Sequence, residues 1–265
     1  MAEDSAELDE KKNEEYHTIT AKTLWLSQSS RSDIQLAIGY HCTRVKCPNI
    51  DDWDKLKYLM QYLWKTRFLP LIIGMKKGGV FTIYTDGAHA VHRDCRGQGG
   101  LIGIFGTGAM LSKSGKLGLT TTSSTKTEIV STGRYLPKCT WFRYFRMAQG
   151  KFPKEDILMQ DNQTAMLLEK NYPFSVGKGS KRINIRYFFV TDKVQKREVK
   201  VIYCPTSDMI ADYNTKPLQG VLFVIFRDLI MEINQKEFDV YKQHYKDVLT
   251  QYNLFDEHES DLFNI

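Results

Sequence analysis

The chain has 265 residues, of which 42% are hydrophobic and 26% are charged, and its formal net charge is +6 at pH 7. These values are typical of a soluble globular chain that can build a core without disulfides or structural metals. No apolar run approaches the roughly 20 residues that a membrane span needs, and the N-terminus lacks the features of a secretion signal. We therefore expect no membrane association and a cytoplasmic or nuclear location.

The cysteines indicate neither a zinc site nor a disulfide framework. They are odd in number, contain no Cys-x-x-Cys pair, and have no histidine at zinc-ligand spacing. We expect reduced, mostly structural thiols at all of these positions, which are Cys42, Cys47, Cys95, Cys139 and Cys204.

The first 75 residues divide into two parts by composition. Residues 1–20 are rich in Asp and Glu and poor in apolar side chains, which predicts an acidic disordered N-terminus. Residues 21–75 form a predicted helical segment, because apolar residues recur there at steps of three and four. Two helices are expected within residues 32–66, and Asp51 or Asp52 is the expected N-cap of the second.

Residues 78–220 change to a pattern of strands and then of strands alternating with helices. Three strands are expected first, separated by Gly-rich or Lys-Ser-Gly-Lys turns. This order predicts an α/β domain with a mixed sheet flanked by helices. Residues 221–265 are expected to form a helical tail, with Tyr241, Tyr245 and Val248 on one side. In chain order, the strands predicted for the domain are 80–90, 100–106, 116–121, 156–160 and 198–203, and the helices are 125–148, 162–170, 181–197 and 207–216.

Residues 178–200 form a basic segment in which aromatic side chains lie between the bases. Such a segment suits a phosphate backbone. A solvated helix face with a buried aromatic stripe would give the same pattern, and the residues alone leave both interpretations open. The candidate nucleic-acid-binding residues are Lys178, Lys181, Arg182, Arg186 and Lys193.

Four carboxylates, those of Asp86, Glu128, Asp161 and Asp212, lie where a predicted strand ends or a helix begins. Each has an ordinary explanation when it is taken alone. These explanations are an Asp-Gly turn for Asp86, a capping box with Thr125 for Glu128, an N-cap for Asp161 and a first-turn acid for Asp212.

Convergence of these four acids would require bound cations. Two carboxylates about 4 Å apart repel each other by roughly 4 kcal/mol at an effective dielectric constant near 20. Oxygen ligands without Cys or His suit Mg²⁺ or Mn²⁺ better than zinc. The spacing of the acids does not by itself establish that they converge.

Short segments between residues 80 and 220 match those of a known family in the same order. The matching segments are Tyr84-Thr85-Asp86-Gly87-Ala88, Ser123-Ser124-Thr125-Lys126-Thr127-Glu128, Gln160-Asp161-Asn162-Gln163, Ile183-Asn184-Ile185-Arg186-Tyr187-Phe188-Phe189, Tyr203-Cys204-Pro205-Thr206 and Ile210-Ala211-Asp212-Tyr213-Asn214-Thr215-Lys216-Pro217-Leu218. By these segments the chain resembles the ribonuclease H domain of copia-type LTR retrotransposon polyproteins. Residues 22–72 resemble the thumb and connection of the adjoining reverse transcriptase.

The resemblance implies a ribonuclease H-like fold with a mixed five-stranded sheet over residues 78–220, preceded by a reverse transcriptase remnant over residues 21–75. It implies a metal-dependent endoribonuclease that cleaves the RNA strand of RNA–DNA hybrids. In that mechanism two Mg²⁺ or Mn²⁺ ions bind at the scissile phosphate. The four carboxylates of Asp86, Glu128, Asp161 and Asp212 would be the metal ligands and catalytic residues.

The chain also departs from related proteins. It has no Tyr-x-Asp-Asp polymerase motif, so polymerase activity is not expected, and a palm domain would act from the same polyprotein or in trans. The segment 204–211 lacks the histidine that cellular ribonucleases H place shortly before their last aspartate. Two alternatives stay open: an inactive or co-opted fragment that binds nucleic acid without cutting it, and another nuclease of the same fold.

Overall fold

The computed structural model describes residues 5–74, 80–153, 155–171 and 181–233. The α-helices in these ranges are α1 (Glu10–Ser29), α2 (Gln35–Arg44), α3 (Ile50–Lys65), α4 (Ser124–Ala148), α5 (Gln163–Asn171), α6 (Lys181–Gln195) and α7 (Gly220–Met231). The strands are β1 (Thr82–Ala88), β2 (Arg96–Ile104), β3 (Ala109–Thr120), β4 (Asp156–Gln160) and β5 (Val199–Tyr203). Short 3-10 segments occur at Ser32–Ile34, Thr206–Asp208 and Ile210–Asn214.

The five strands form one sheet in the order β3-β2-β1-β4-β5. Neighbours among β1, β2 and β3 pair antiparallel, whereas β4 is parallel to β1 and β5 is parallel to β4. Each parallel neighbour is reached through helices, because a parallel connection must cross the sheet. This order and these directions confirm the predicted mixed five-stranded sheet and the ribonuclease H-like fold.

Helices and turns cover both faces of the sheet. On one face, Phe81, which immediately precedes β1, and Ile83 of β1 pack with Leu136 of α4 and Val190 of α6. On the other face, Ile102 of β2 is buried in a cluster with side chains from the 210–214 segment and from α7, namely Ile210, Tyr213, Phe226, Ile230 and Met231. Alternate residues of a strand point to opposite faces, so one strand supplies both cores. In the described part of the chain, no helix is long and apolar enough to span a bilayer.

The N-terminal helices form a separate small core. Helix α1 begins at Glu10, so the prediction of disorder up to residue 20 is wrong for residues 10–20. The side chain of Asp9 caps this helix by accepting from the Lys12 backbone amide at 2.8 Å. Buried Tyr16 meets His41 of α2, with 2.8 Å between Oη and Nδ1. The acidic composition of residues 1–20 did not indicate that one side of α1 packs against the protein.

Helix α3 begins with a capping box, but its N-cap is Asn49 and not Asp51 or Asp52 as predicted. Asp52 is the third residue of the helix, and its carboxylate accepts a hydrogen bond from the Asn49 backbone amide at 3.2 Å. The same carboxylate binds Arg44 at 2.9 Å and so joins α3 to α2.

Two other predicted elements differ from the structure. The Lys-Ser-Gly-Lys stretch predicted as a turn lies inside β3, where Gly115 pairs with Gly99 of β2. The helix predicted over residues 207–216 is replaced by two short 3-10 segments. They are separated at Met209, whose φ of −77° and ψ of 82° are not helical. Helix α7 agrees with the start of the predicted helical tail, whereas Tyr241, Tyr245 and Val248 lie outside the described residues.

A buried ion pair joins the end of α4 to the start of β4. Nη2 of Arg146 lies 2.6 Å and 2.7 Å from the two carboxylate oxygens of Asp156. The guanidinium also stacks over the rings of Phe105 and Phe142, at 4.9 Å and 4.8 Å from their centroids. This pair fixes the position of β4, the strand that leads into Asp161.

Replacement of Asp156 by alanine is expected to lower the free energy of unfolding by about 3–5 kcal/mol, because it leaves the buried guanidinium of Arg146 without its partner. Urea titration followed by circular dichroism measures this loss. The matched control is Asp54→Ala, which breaks the exposed pair with Lys57 and should cost about 1 kcal/mol or less. Equal losses in the two variants would contradict the prediction.

Candidate functional site

Asp86 is buried near the end of β1 and lies at the centre of the group of predicted carboxylates. Its neighbour in β2 is Gly100, and β4 runs parallel on the other side, with Tyr84 opposite Met159. Asp161 follows Met159 by two residues, just as Asp86 follows Tyr84. The parallel register therefore brings both aspartates to the same end of the sheet.

Glu128 reaches Asp86 because α4 approaches β1 very closely at Gly87. A Cβ atom at Gly87 would lie 2.8 Å from the backbone carbon and oxygen of Thr127, so only glycine fits there. The helix is capped by Ser123, whose hydroxyl accepts from the Lys126 amide at 3.3 Å. The capping box of Glu128 with Thr125 is therefore not formed, and Glu128 is available as a ligand.

Asp161 lies in the turn between β4 and α5. The side chain of the next residue, Asn162, caps the turn by accepting from the Ala165 amide at 3.0 Å. Asn162 also donates from Nδ2 to the Thr125 hydroxyl at 3.4 Å, which ties the turn to the start of α4. Because Asn162 provides the cap, the carboxylate of Asp161 does not; it accepts from the Thr206 hydroxyl at 3.4 Å.

Asp212 lies in the 210–214 segment, which packs on β2 at Gly100. A Cβ atom at Gly100 would lie 2.8 Å from Cγ2 of Thr215 and 2.9 Å from the carbonyl oxygen of Ala211. Because Gly100 is paired with Asp86, this contact places the segment beside Asp86. The hydroxyl of Thr215 donates to Oδ2 of Asp86, and Nζ of Lys216 lies 2.7 Å from Oδ1 of Asp212.

Three of the four predicted acids form one compact group. One carboxylate oxygen from each of Asp86, Glu128 and Asp161 lies within 4.8 Å of the others. Asp212 is outside this group but near it: burial, together with the carboxylate of Asp86, raises the pKa of Asp212 to about 6. The acids come from β1, α4, the turn after β4 and the 210–214 segment.

The electrostatics of the group fit a cation ligand set. Burial, reinforced by Asp86 and Asp161, raises the pKa of Glu128 well above its usual range. Oε2 of Glu128 is buried and has no hydrogen-bond partner among the described residues. Burial and the charge of Asp86 also raise the pKa of Asp161. A divalent ion would supply the missing partner and offset the repulsion, and the all-oxygen donor set suits Mg²⁺ or Mn²⁺.

Glu169 of α5 is a further buried acid and is fully enclosed. Neither of its carboxylate oxygens makes a hydrogen bond to the described residues, although Thr132 and Gln160 are its polar neighbours. Burial raises the pKa of Glu169 to about 8, so its carboxyl is mostly protonated at neutral pH. Thr132 in turn contacts Thr85 at 2.9 Å, next to Asp86.

The predicted nucleic-acid-binding residues have different environments. Lys178 lies outside the described residues, and Lys181 and Arg182 are the first two residues of α6. Arg186 is only partly exposed, because α6 packs on α4 at Gly133. Lys193 is buried, donates to the Tyr144 hydroxyl at 3.0 Å and pairs with Glu198 at 3.3 Å. The prediction that Lys193 binds phosphate is therefore wrong: its ammonium is used within the protein.

Three residues at the site were not predicted from the sequence, namely Thr215, Lys216 and Glu169. Thr215 and Lys216 follow Asp212 by three and four positions, a spacing that puts side chains on one side of a helical turn. Glu169 follows buried Ala165 by four positions on α5. An acid at that spacing from an apolar core residue was the available signal.

The chain is similar to three retrovirus-related Pol polyproteins of plant transposons. It is 24% identical over 216 residues to that of transposon TNT 1-94 from Nicotiana tabacum. For transposons RE2 and RE1 of Arabidopsis thaliana the identities are 27% over 216 residues and 26% over 220 residues. These matches cover 80–82% of this chain, which spans only 14–16% of the length of the curated relatives. The resemblance to a retrotransposon polyprotein is thereby confirmed, although no protein-family model matches.

Solved structures similar to this chain include LC11-RNase H1 isolated from compost, with a TM-score of 0.39 and 15% identity over 51% of this chain and 92% of the other. A structure of the same enzyme in complex with an RNA/DNA hybrid has a TM-score of 0.38 and 13% identity, over 51% and 93%. RNase H1 from the archaeon Halobacterium salinarum has a TM-score of 0.36 and 15% identity, over 52% and 95%.

Replacement of Glu128 by glutamine is expected to stabilise the metal-free protein and to weaken stabilisation by metal. Because Glu128 holds its proton to a higher pH in the folded protein than in the unfolded chain, wild type loses stability as pH rises. The glutamine variant does not have this pH dependence, so its gain in stability over wild type should be larger near pH 8 than near pH 5. With Mn²⁺ at about 100 times its Kd, wild type should gain about 2.7 kcal/mol. Thermal unfolding with and without Mn²⁺ measures both effects. A variant with the full Mn²⁺ gain would contradict the prediction.

Replacement of Glu169 by glutamine is expected to flatten the pH dependence of stability. The folded protein holds a proton on Glu169 up to about pH 8, whereas the unfolded chain releases it near the ordinary glutamate pKa of 4.5. Between these values the stability of wild type falls by up to about 1.4 kcal/mol per pH unit for this one proton. Urea titrations from about pH 5 to pH 9 should show the stability difference between variant and wild type growing, then levelling above about pH 8. A constant difference would exclude this assignment.

Proposed function

We propose that this chain, which is similar to part of plant retrotransposon Pol polyproteins, is a metal-dependent endoribonuclease of the ribonuclease H type. Its substrate would be the RNA strand of an RNA–DNA hybrid. The observation that carries the proposal is the convergence of Asp86, Glu128 and Asp161 from three separate elements to within 4.8 Å. The order of copia-type motifs around these acids supports the same function.

The carboxylates of this group would act as metal ligands and not as nucleophiles. A bound divalent ion supplies Lewis-acid stabilisation of the scissile phosphate and a water molecule of lowered pKa. The protein holds the oxygens in place: the close contact at Gly87 sets the distance from Glu128 to Asp86, and Asn162 fixes the turn that carries Asp161. Thr215 orients Asp86 through its hydroxyl. The resemblance implies two ions, whereas the described side chains form one group of three ligands.

The hybrid would be selected by its shape and by contacts to the 2′-hydroxyls of RNA. Phosphate contacts position a duplex without reading its sequence, and Lys181 and Arg182 at the start of α6 are proposed for that role together with Lys178. Partly exposed Arg186 is a weaker candidate, because α6 packs against α4 at Gly133.

The proposed context is a polyprotein in which a reverse transcriptase palm makes the hybrid that this chain cleaves. The palm would lie in the same polyprotein or act in trans, since this sequence holds no polymerase motif. The site of action would be the cytoplasm or nucleus, within a retroelement particle.

Replacement of Asp86 by asparagine is expected to abolish cleavage, because the substitution removes a charged ligand from the centre of the group. The measurement is cleavage of an RNA–DNA hybrid labelled on its RNA strand, with Mg²⁺ or Mn²⁺. A loss of at least about 100-fold is expected. The matched control is Asp94→Asn, an exposed acid that pairs with Lys116, is not part of the carboxylate group and should leave cleavage unchanged.

Two results would contradict the proposal. Equal cleavage by wild type and the Asp86→Asn variant would show that activity does not depend on this site. Hybrid binding with steep salt dependence, but without cleavage at any metal concentration, would instead support the inactive, nucleic-acid-binding alternative. Duplex DNA as a parallel substrate distinguishes a different nuclease of the same fold.

A further inference from the structure

Lys216 adds a positive charge to the carboxylate group, and the proposed hydrolysis does not yet account for it. Its ammonium lies 2.7 Å from Oδ1 of Asp212, and the exposed fraction of the Asp212 side chain is only 8%. The ammonium is therefore already paired with one of the four predicted acids.

The backbone around Lys216 is held firmly in this position. Its amide donates to the Asp212 carbonyl at 2.8 Å, so Lys216 continues the turn of the 210–214 segment. Asn214 anchors that segment to the sheet by donating to the Leu101 carbonyl and the Ser112 hydroxyl, both at 3.0 Å. Ser114 donates to the Asn214 carbonyl at 2.6 Å. The ammonium thus extends from a fixed base and not from a loose loop.

Two carboxylate oxygens near Lys216 already have partners within the protein. Oδ1 of Asp212 is paired with the ammonium, and Oδ2 of Asp86 accepts from Thr215. Asp212 is also the predicted ligand that lies outside the compact group of Asp86, Glu128 and Asp161. The four acids therefore form one site with three ligands and one carboxylate that already has a cation.

We infer that the ammonium of Lys216 takes the place of a second metal ion, so that this site binds one divalent cation on Asp86, Glu128 and Asp161. The inference rests on the proposed function and narrows it from two ions to one ion and one lysine. An ammonium beside Asp212 repels any divalent ion that approaches the same oxygens. It also gives the site a fixed positive charge beside the place where a phosphate would bind, which does not depend on the concentration of free metal.

The test is the number of Mn²⁺ ions bound per chain, measured from the loss of the free Mn²⁺ signal in electron paramagnetic resonance. Wild type and Lys216→Arg, which keeps the charge, should each bind one ion. Lys216→Met removes the charge at similar length and should bind a second ion with a Kd at least tenfold lower than in wild type. The matched control is Lys57→Met, an exposed lysine on α3, which should bind one ion.

The titration is repeated with a hybrid whose RNA strand is 2′-O-methylated and resists cleavage, and wild type should still bind one ion. Two ions on wild type, with or without the hybrid, would overturn the inference even if Lys216→Met failed to fold. An unchanged single ion on a folded Lys216→Met variant would overturn it as well.

The proposed function can fail separately from this inference. One ion on wild type and two on Lys216→Met, without hybrid cleavage by wild type, would support the role of Lys216 and contradict ribonuclease activity. Absence of Mn²⁺ binding to wild type would contradict both. Cleavage by a wild-type protein that binds two ions would support the ribonuclease and overturn the role of Lys216.

Discussion

The close approach of β1 to α4 at Gly87 is the contact on which the carboxylate group depends. A side chain at this position would collide with the Thr127 backbone and push the start of α4, with Glu128, away from Asp86. Gly100, the partner of Asp86 in β2, permits the equivalent approach of the 210–214 segment on the other side. Two glycines without side chains thus allow acids from distant parts of the sequence to surround one aspartate.

The fold must hold these acids together against their repulsion when no ion is bound. Burial of apolar side chains on both faces of the sheet supplies the general stability. The Arg146–Asp156 pair fixes β4, and the hydroxyl of Thr215 and the ammonium of Lys216 partly compensate the charges of Asp86 and Asp212. Oε2 of Glu128 is left without a hydrogen-bond partner among the described residues, so the metal-free protein keeps an unsatisfied buried oxygen at the point where an ion is proposed to bind.

The N-terminal helices are connected to the site through aromatic side chains. Tyr62 of α3 donates to buried Asp33 at 2.7 Å and meets the ring of Phe223 in α7 edge to face. Phe223 stacks on Tyr213, the residue after Asp212. Through these rings the N-terminal helical segment therefore packs against the turn that carries Asp212 and Lys216. Packing between these parts of the chain contributes to the position of Asp212, which lies outside the group of Asp86, Glu128 and Asp161.

Local patterns in the chain were sufficient to predict the sheet class, the order of most elements and the identity of the acids, because strand alternation and ordered motifs depend only on nearby residues. These local patterns could not show that Asn162 and Ser123 provide the caps, which leaves the carboxylates of Asp161 and Glu128 available as proposed ligands. Nor could they show that Lys193 is buried. The convergence of three acids, and the pairing of the fourth, Asp212, with Lys216, became visible only in the folded chain. That division depends on distances between β1, α4 and the 210–214 segment, which are set by packing at Gly87 and Gly100 and not by spacing along the chain.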